Sequence, residues 1–148
     1  MNEPIRLKKI AKMKVFEKDN AALLYEEAVS TFEFYAKKLY NLLKQKEQLK
    51  EIEVSKLQKG ISILELQGNE SFIFRLDKEI HHVHLQVMNS RDKMNYRKQE
   101  LLLINQEVKK YEKIVEKKQT IYNHWLNKVE GELLNEMSLL RFNQRENR

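Results

Sequence analysis

Apolar residues spaced alternately three and four positions apart run through the second half of this chain, and they constrain its fold more than any other feature. From Ile73 to Leu139, fifteen of twenty such positions are apolar, against 41% of all residues. No Pro or Gly interrupts the run before Gly131. This is the heptad spacing of a coiled coil. We therefore predict one helix over about residues 70–142, with seam positions Ile73, Leu76, Ile80, Val83, Val87, Ser90, Met94, Arg97, Leu101, Ile104, Val108, Tyr111, Val115, Lys118, Tyr122, Trp125, Val129, Glu132, Glu136 and Leu139.

A second stripe, looser in phase, indicates another helix in the first half. Pro4 suits a first helical turn, where its missing N–H costs nothing. Near the start of the chain, Ile10, Met13 and Phe16 follow a shifted phase, as a stuttered repeat would. We predict a helix over about residues 4–58, with Lys46 as a polar break and core positions at Tyr25, Ala28, Phe32, Tyr35, Leu39, Leu42 and Leu49.

The segment KGISILELQGN, residues 59–69, is predicted to connect the two helices. Gly60 and Gly68 are two of the three glycines in the chain, and Gly60 is placed to end the first helix. Ser62 and Glu65 have the spacing of a capping box for a short helical turn inside the link. Helices joined by so short a connection fold back antiparallel. The predicted fold is all-α, a single antiparallel coiled-coil hairpin over residues 1–148 with the second helix longer.

A hairpin folded about residue 64 leaves the residues beyond about 125 without a partner on the first helix. An unpartnered apolar stripe of this kind usually marks an interaction surface. The alternatives are that this end frays or that it packs against a second copy of the chain. The apolar residues of the overhang are Trp125, Leu126, Val129, Leu133, Met137 and Leu140.

The net charge of +6 lies entirely at the two chain ends. Residues 1–18 carry a net charge of +4 and residues 141–148 carry +2. Residues 19–140 have 19 basic and 19 acidic residues and therefore no net charge. If the ends meet, they form a basic pole that favours an acidic partner or nucleic acid. The alternative is a set of solvated charges that keeps the ends soluble. No nucleic-acid partner is expected, because no zinc-finger spacing or aromatic-interleaved basic platform accompanies the charge.

The motif EIHHVHLQV raises the question of a metal site. On a helix, Asp77, His81 and His84 share an arc of about 60°, and such groups can bind a divalent ion. No further ligand is apparent, and His82 points elsewhere, so the histidines are interpreted as partly exposed polar residues. The chain has no cysteine, phosphate-binding glycine loop or nucleophile motif. We therefore predict no catalytic residue, cofactor or metal, and no enzyme activity.

Several segments together resemble the flagellar export protein family FliJ, small cytoplasmic coiled-coil components of flagellar type III secretion. The resemblance covers nearly the whole chain and begins with the basic N-terminus before a long helix. It continues in GISILELQGNESFIFRLDKEI, where Phe72, Ile73, Leu76 and Ile80 match the family pattern. The segment KKYEKIVEKKQ at 109–119 and the tail ELLNEMSLLRF are also similar to the family.

The resemblance implies a non-enzymatic coupling element, located in the cytoplasm and peripheral to the membrane at the flagellar base. The implied partners are the hexameric export ATPase, the cytoplasmic linker of the export gate's large membrane subunit, and export chaperones. The gate contact falls on Phe72, Leu76, Glu79 and Val83. For the ATPase ring, the basic pole and the overhang supply Arg6, Lys8, Lys9, Lys12, Trp125, Val129, Leu133, Met137, Leu140 and Arg141.

Two other functions stay open. A generic coiled-coil scaffold or a prefoldin-like holding chaperone would also be a hairpin, although ISILEL, residues 61–66, is too short for the extra strands of such chaperones. A nucleic-acid-binding coiled coil would use the basic pole.

Overall fold

The computed structural model describes residues 2–147, which form two α-helices and no β-strand. Helix α1 spans Ile5–Lys59 and helix α2 spans Ile63–Glu146. Their lengths of 55 and 84 residues agree with the prediction of a longer second helix. The all-α hairpin fold is thereby confirmed.

The connection between the helices is much shorter than predicted. Gly60, at φ 92°, takes the left-handed conformation that ends α1. The Ser62 hydroxyl accepts a hydrogen bond from the Glu65 backbone N–H at 3.2 Å, which makes Ser62 the N-cap of α2. The link is therefore residues 60–62 and not 59–69. Gly68 lies inside the helix, where glycine costs only about 1 kcal/mol relative to alanine.

Alanine at these two glycines is expected to have opposite effects on stability. Gly60→Ala should lower the free energy of unfolding by about 1–2 kcal/mol, because a residue with a Cβ is strained at positive φ. Gly68→Ala should raise it by about 1 kcal/mol through helix propensity. No atom lies within 4 Å of the added Cβ at either site, so steric clash does not confuse the comparison. Urea unfolding followed by circular dichroism measures both, and effects of the same sign would contradict the turn assignment.

The helices pack in two units, of which the first is Asn20–Leu101. Here Lys46 of α1 forms an ion pair with Asp77 of α2, whereas Ala28 faces Ser90, so the two segments run antiparallel. Its most buried residue is Val83. All predicted core positions of α1 lie on the inner side, and the polar break at Lys46 is explained by its partner across the seam.

The second unit pairs the chain up to Asp19 with the chain from Leu102 onward. Lys14 Nζ lies 3.0 Å from Glu107 Oε2, and Leu7 lines a groove with Lys118, which again makes the segments antiparallel. Val108 is the buried residue of this unit.

The predicted phase shift at the start of α1 is wrong for Met13 and Phe16, although Ile10 is half-buried. Met13 and Phe16 are 64% and 68% exposed, on the side of the helix away from the seam. Half-buried residues instead continue the regular spacing of three and four, at Leu7, Ala11, Lys14 and Lys18. Lysine fits these positions because its aliphatic stem covers apolar surface while the ammonium group reaches solvent.

Candidate partner-binding surfaces

The last part of α2 has no counterpart on α1. In the terminal unit, Pro4 and Leu7 line the same groove as Lys118 and Ile121, so α1 begins beside this part of α2. The chain turns at residues 60–62 and not at 64. Each residue of α1 therefore lies opposite a residue of α2 about six positions earlier in the chain than predicted. The unpartnered segment, residues 125–147, is called the α2 extension from here on.

The α2 extension exposes a row of large apolar side chains. Leu126 is half-buried, and Trp125, at the edge of exposure, stacks on Tyr122 with ring centroids 6.0 Å apart. Beyond them, every large apolar residue from Leu133 onward is more than half exposed. These residues are Leu133, Leu134, Met137, Leu139, Leu140 and Phe142. Of them, Leu133, Met137 and Leu140 share one face of the helix and form the apolar row, whereas Leu134, Leu139 and Phe142 lie outside it. Water-exposed apolar rows of this length are a typical sign of a binding surface.

The start of α1 supplies basic side chains to the same unit. Arg6, Lys9 and Lys12 are exposed, and Lys8 pairs with Glu3 at 3.3 Å. Lys14 is held in the seam, where the hydrogen bond to the Glu107 carboxylate raises the pKa of Lys14. Among the basic residues of α1 predicted to contact a partner, the exposed ones are therefore Arg6, Lys9 and Lys12, and Arg141 of α2 is exposed as well.

An outward apolar face on α1 was missed by the sequence analysis. Ile5, Met13 and Phe16 lie on the exposed side together with Lys9 and Lys12. Steps of three and four residues counted backward from Tyr25 reach Lys18 and Lys14, so this spacing places lysines in the seam and leaves Ile5, Met13 and Phe16 outside it.

The four residues of the predicted gate contact divide into two pairs. Phe72 is 42% exposed and Glu79 is exposed. Leu76 and Val83 are 5% and 1% exposed and lie in the seam, so they are not available to a partner while the hairpin is closed. The Arg75 guanidinium carbon lies 5.9 Å from the centroid of the Phe72 ring, a cation–π distance. The accessible part of this surface is therefore the side of α2 that carries Phe72 and Glu79.

The three histidines His81, His82 and His84 are exposed. Asp77, which the sequence placed on the same arc, is paired with Lys46 across the seam. Among residues 2–147, no group of three His, Cys, Asp or Glu side chains is close enough together to hold a metal ion.

A small cavity marks the layer where Ala28 faces Ser90. Its volume of about 110 Å³ is below the roughly 300–1,000 Å³ of small-molecule pockets. The Ser90 hydroxyl donates to the Val87 carbonyl at 2.9 Å within its own helix. At the edge of the cavity, a hydrogen bond from Arg97 at 2.8 Å lowers the pKa of Glu100. This layer therefore combines two small side chains, Ala28 and Ser90, with a cavity that is smaller than a typical ligand site.

These features define a class of protein: a two-helix coiled coil whose exposed helix faces are its candidate binding surfaces. The model of the family described as "Flagellar FliJ protein" matches residues 2–147. The curated Flagellar FliJ protein of Bacillus subtilis (strain 168) is 38% identical over 112 residues, which cover 76% of each chain. The chain therefore belongs to the FliJ family. No solved structure matches it.

Family membership supports a role as a component of flagellar protein export. Within residues 2–147, neither helix contains a stretch that is both long and apolar enough to cross a membrane.

Proposed function

We propose that the chain is a non-enzymatic coupling component of flagellar protein export. It acts as the stalk-like partner of the hexameric export ATPase and also contacts the cytoplasmic linker of the export gate's large membrane subunit and export chaperones. This role places it in the cytoplasm, peripheral to the membrane at the flagellar base. The observation that carries the proposal is the exposed apolar α2 extension in the same unit as the basic start of α1.

The chemistry of the terminal unit fits insertion of a helix into a partner. Val129, Leu133, Met137 and Leu140 present apolar side chains from one helix, the pattern used when a helix docks in a groove. Arg6, Lys9, Lys12 and Arg141 add positive charge that speeds encounter with an acidic surface.

The gate contact is assigned to the first unit, Asn20–Leu101, which contains the turn. Phe72 supplies an exposed aromatic ring and Glu79 a carboxylate on the same side of α2. Leu76 and Val83 support this surface from inside by holding α2 against α1.

The ATPase contact is tested by titrating the purified export ATPase with this protein. The wild-type chain is expected to stimulate ATP hydrolysis and promote ring assembly. The double variant Leu133→Glu/Met137→Glu should lose both effects, by about tenfold or more in half-maximal concentration, because two carboxylates enter an apolar interface. Leu139→Glu is the matched control, since Leu139 is similarly exposed and lies about 120° around the same helix from Leu133.

Each outcome of this titration decides one point. A wild-type chain that neither stimulates nor assembles the ATPase overturns the proposed function. Equal loss in Leu139→Glu and the double variant overturns the assignment of the face. A chain that instead suppresses aggregation of an unfolded client supports the holding-chaperone alternative, and salt-sensitive binding to short duplexes supports the nucleic-acid alternative.

A further inference from the structure

We propose that the α2 extension also pairs antiparallel with the same segment of a second copy of this chain. The apolar row of the extension is exposed to water in the isolated protein. Covering this row with another apolar surface would be favourable, because it removes apolar area from water. The proposal needs no export component and goes beyond the coupling function.

The order of charges along the extension is self-complementary. Glu130, Glu132 and Glu136 fall in its first half, whereas Arg141 and Arg145 fall in its second half. The remaining charges, Lys128 and Glu146, lie on the side of the helix away from the apolar face. When two copies lie antiparallel, the acidic half of each copy meets the basic half of the other. A parallel arrangement would place like charges side by side. Complementary charge of this kind selects partner and orientation.

The helical positions agree with this order. At 100° per residue, Leu133, Met137 and Leu140 fall within an arc of about 60° and form the centre of the face. Glu130 and Arg141 lie about 20° apart on one flank of that face. A two-fold axis near residue 136 therefore brings Glu130 of one copy opposite Arg141 of the other. Because a two-fold contact is isologous, this pair forms twice.

The same pair cannot form within one chain. Glu130 and Arg141 are separated by eleven residues of continuous helix, which is about 16 Å along the axis. A surface ion pair requires the charged atoms to approach within about 4 Å. Any energetic coupling between Glu130 and Arg141 must therefore arise between two copies.

The interface is small, so the dimer is expected to be reversible. Val129, Leu133, Met137 and Leu140 of the two copies, with the side chains that flank them, bury on the order of 1,000 Å² in total, the lower end for specific interfaces. Glu136 lies at the edge of the face near the two-fold axis, where the two copies' carboxylates repel each other and weaken the pairing. We expect dissociation constants of tens of micromolar, in the range of weak and transient contacts. Since Leu133 and Met137 also serve the proposed ATPase contact, self-pairing and ATPase binding exclude each other.

Sedimentation equilibrium of the purified full chain over a range of concentrations tests the proposal. The wild-type chain should show a monomer–dimer equilibrium, and Met137→Glu should raise its dissociation constant about tenfold or more. Leu139→Glu, the same substitution about 120° around the helix from Leu133 and outside this face, should leave it unchanged. Circular dichroism verifies that each variant keeps its helical content.

A charge exchange then tests the orientation. Glu130→Arg and Arg141→Glu should each weaken the dimer several-fold, because each leaves like charges opposite one another. The double variant Glu130→Arg/Arg141→Glu should restore the wild-type dissociation constant, because opposite charges again face each other. Only pairing with a second copy of the chain explains such a restoration.

Three results would overturn the proposal: a chain that stays monomeric at every concentration, equal effects of Met137→Glu and Leu139→Glu, or no restoration in the charge exchange. The ATPase titration is a separate measurement. A monomeric chain that stimulates the ATPase removes the dimer alone, and a dimeric chain that does not stimulate it removes the coupling function alone.

Discussion

Val83→Asp is expected to unfold most of the protein at room temperature. Val83 is only 1% exposed and faces α1 in the middle of the seam. A carboxylate at this position would have to lose its water or force the helices apart, at a cost of about 4 kcal/mol or more. A two-helix seam buries little surface per residue and has little stability in reserve. Far-ultraviolet circular dichroism with urea titration measures the loss.

Leu85→Asp is the matched control for this change. Leu85 lies two residues further along α2 and is 47% exposed, so the new carboxylate stays in water. Its effect should stay within about 0.5 kcal/mol, as for ordinary surface substitutions. If Val83→Asp retains wild-type helicity and lowers the free energy of unfolding by less than about 1 kcal/mol, the seam is not what stabilises the hairpin.

Phe72→Ala is expected to weaken binding of the export gate linker by about tenfold or more while leaving helicity unchanged. A few residues, often aromatic, carry most of the binding free energy of an interface, and truncating such a residue to alanine removes it. Its partial exposure means that little core packing is lost. Isothermal titration calorimetry with the purified linker segment measures the affinity.

Phe74→Ala provides the comparison that isolates the face of the helix. The Phe74 ring is 61% exposed and lies 4.7 Å from Lys78 Nζ, about 200° around the helix from Phe72. Its removal should leave linker affinity at the wild-type value. Equal losses in the two variants, or no loss in Phe72→Ala, would remove the gate contact from this surface.

Most of the seam of α2 could be predicted from the sequence, whereas six predicted positions near its end are exposed: Lys118, Trp125, Val129, Glu132, Glu136 and Leu139. Each position from Ile73 to Val115 on the regular spacing is buried or half-buried, including the polar Ser90 and Arg97. This succeeded because a sustained apolar heptad determines which face of the helix is buried. Leu66 and Asn69 extend the seam upstream, into residues that the sequence analysis had placed in the link.

The start of α1 and the turn could not be predicted as well, for two physical reasons. Lys14 and Lys18 occupy seam positions, so a count of apolar residues followed Met13 and Phe16 to the wrong side of the helix. In the turn, Gly68 suggested a break, whereas the Ser62 cap fixed the start of α2 earlier in the chain. A local hydrogen bond outweighed the modest cost of one helical glycine.

The candidate surfaces depended on the same seam. The heptad already marked Leu76 and Val83 as core positions and left Phe72 outside, and the structure places them accordingly. The exposed overhang followed from the unequal helix lengths. The roles of these residues toward partners remain predictions, because surface exposure alone does not identify what binds.

The ion pair between Lys46 and Asp77 also limits how the helices can slide. A heptad pattern is nearly unchanged when one helix moves by seven residues, so apolar contacts alone tolerate several alignments. Such a displacement would set Asp77 against Leu39 or against Glu53, either without a counter-charge or beside a like charge. One oppositely charged pair therefore favours the observed alignment over these two. Because both side chains are partly exposed, this preference is about 1 kcal/mol or less, and it adds to the constraint that the three-residue turn sets.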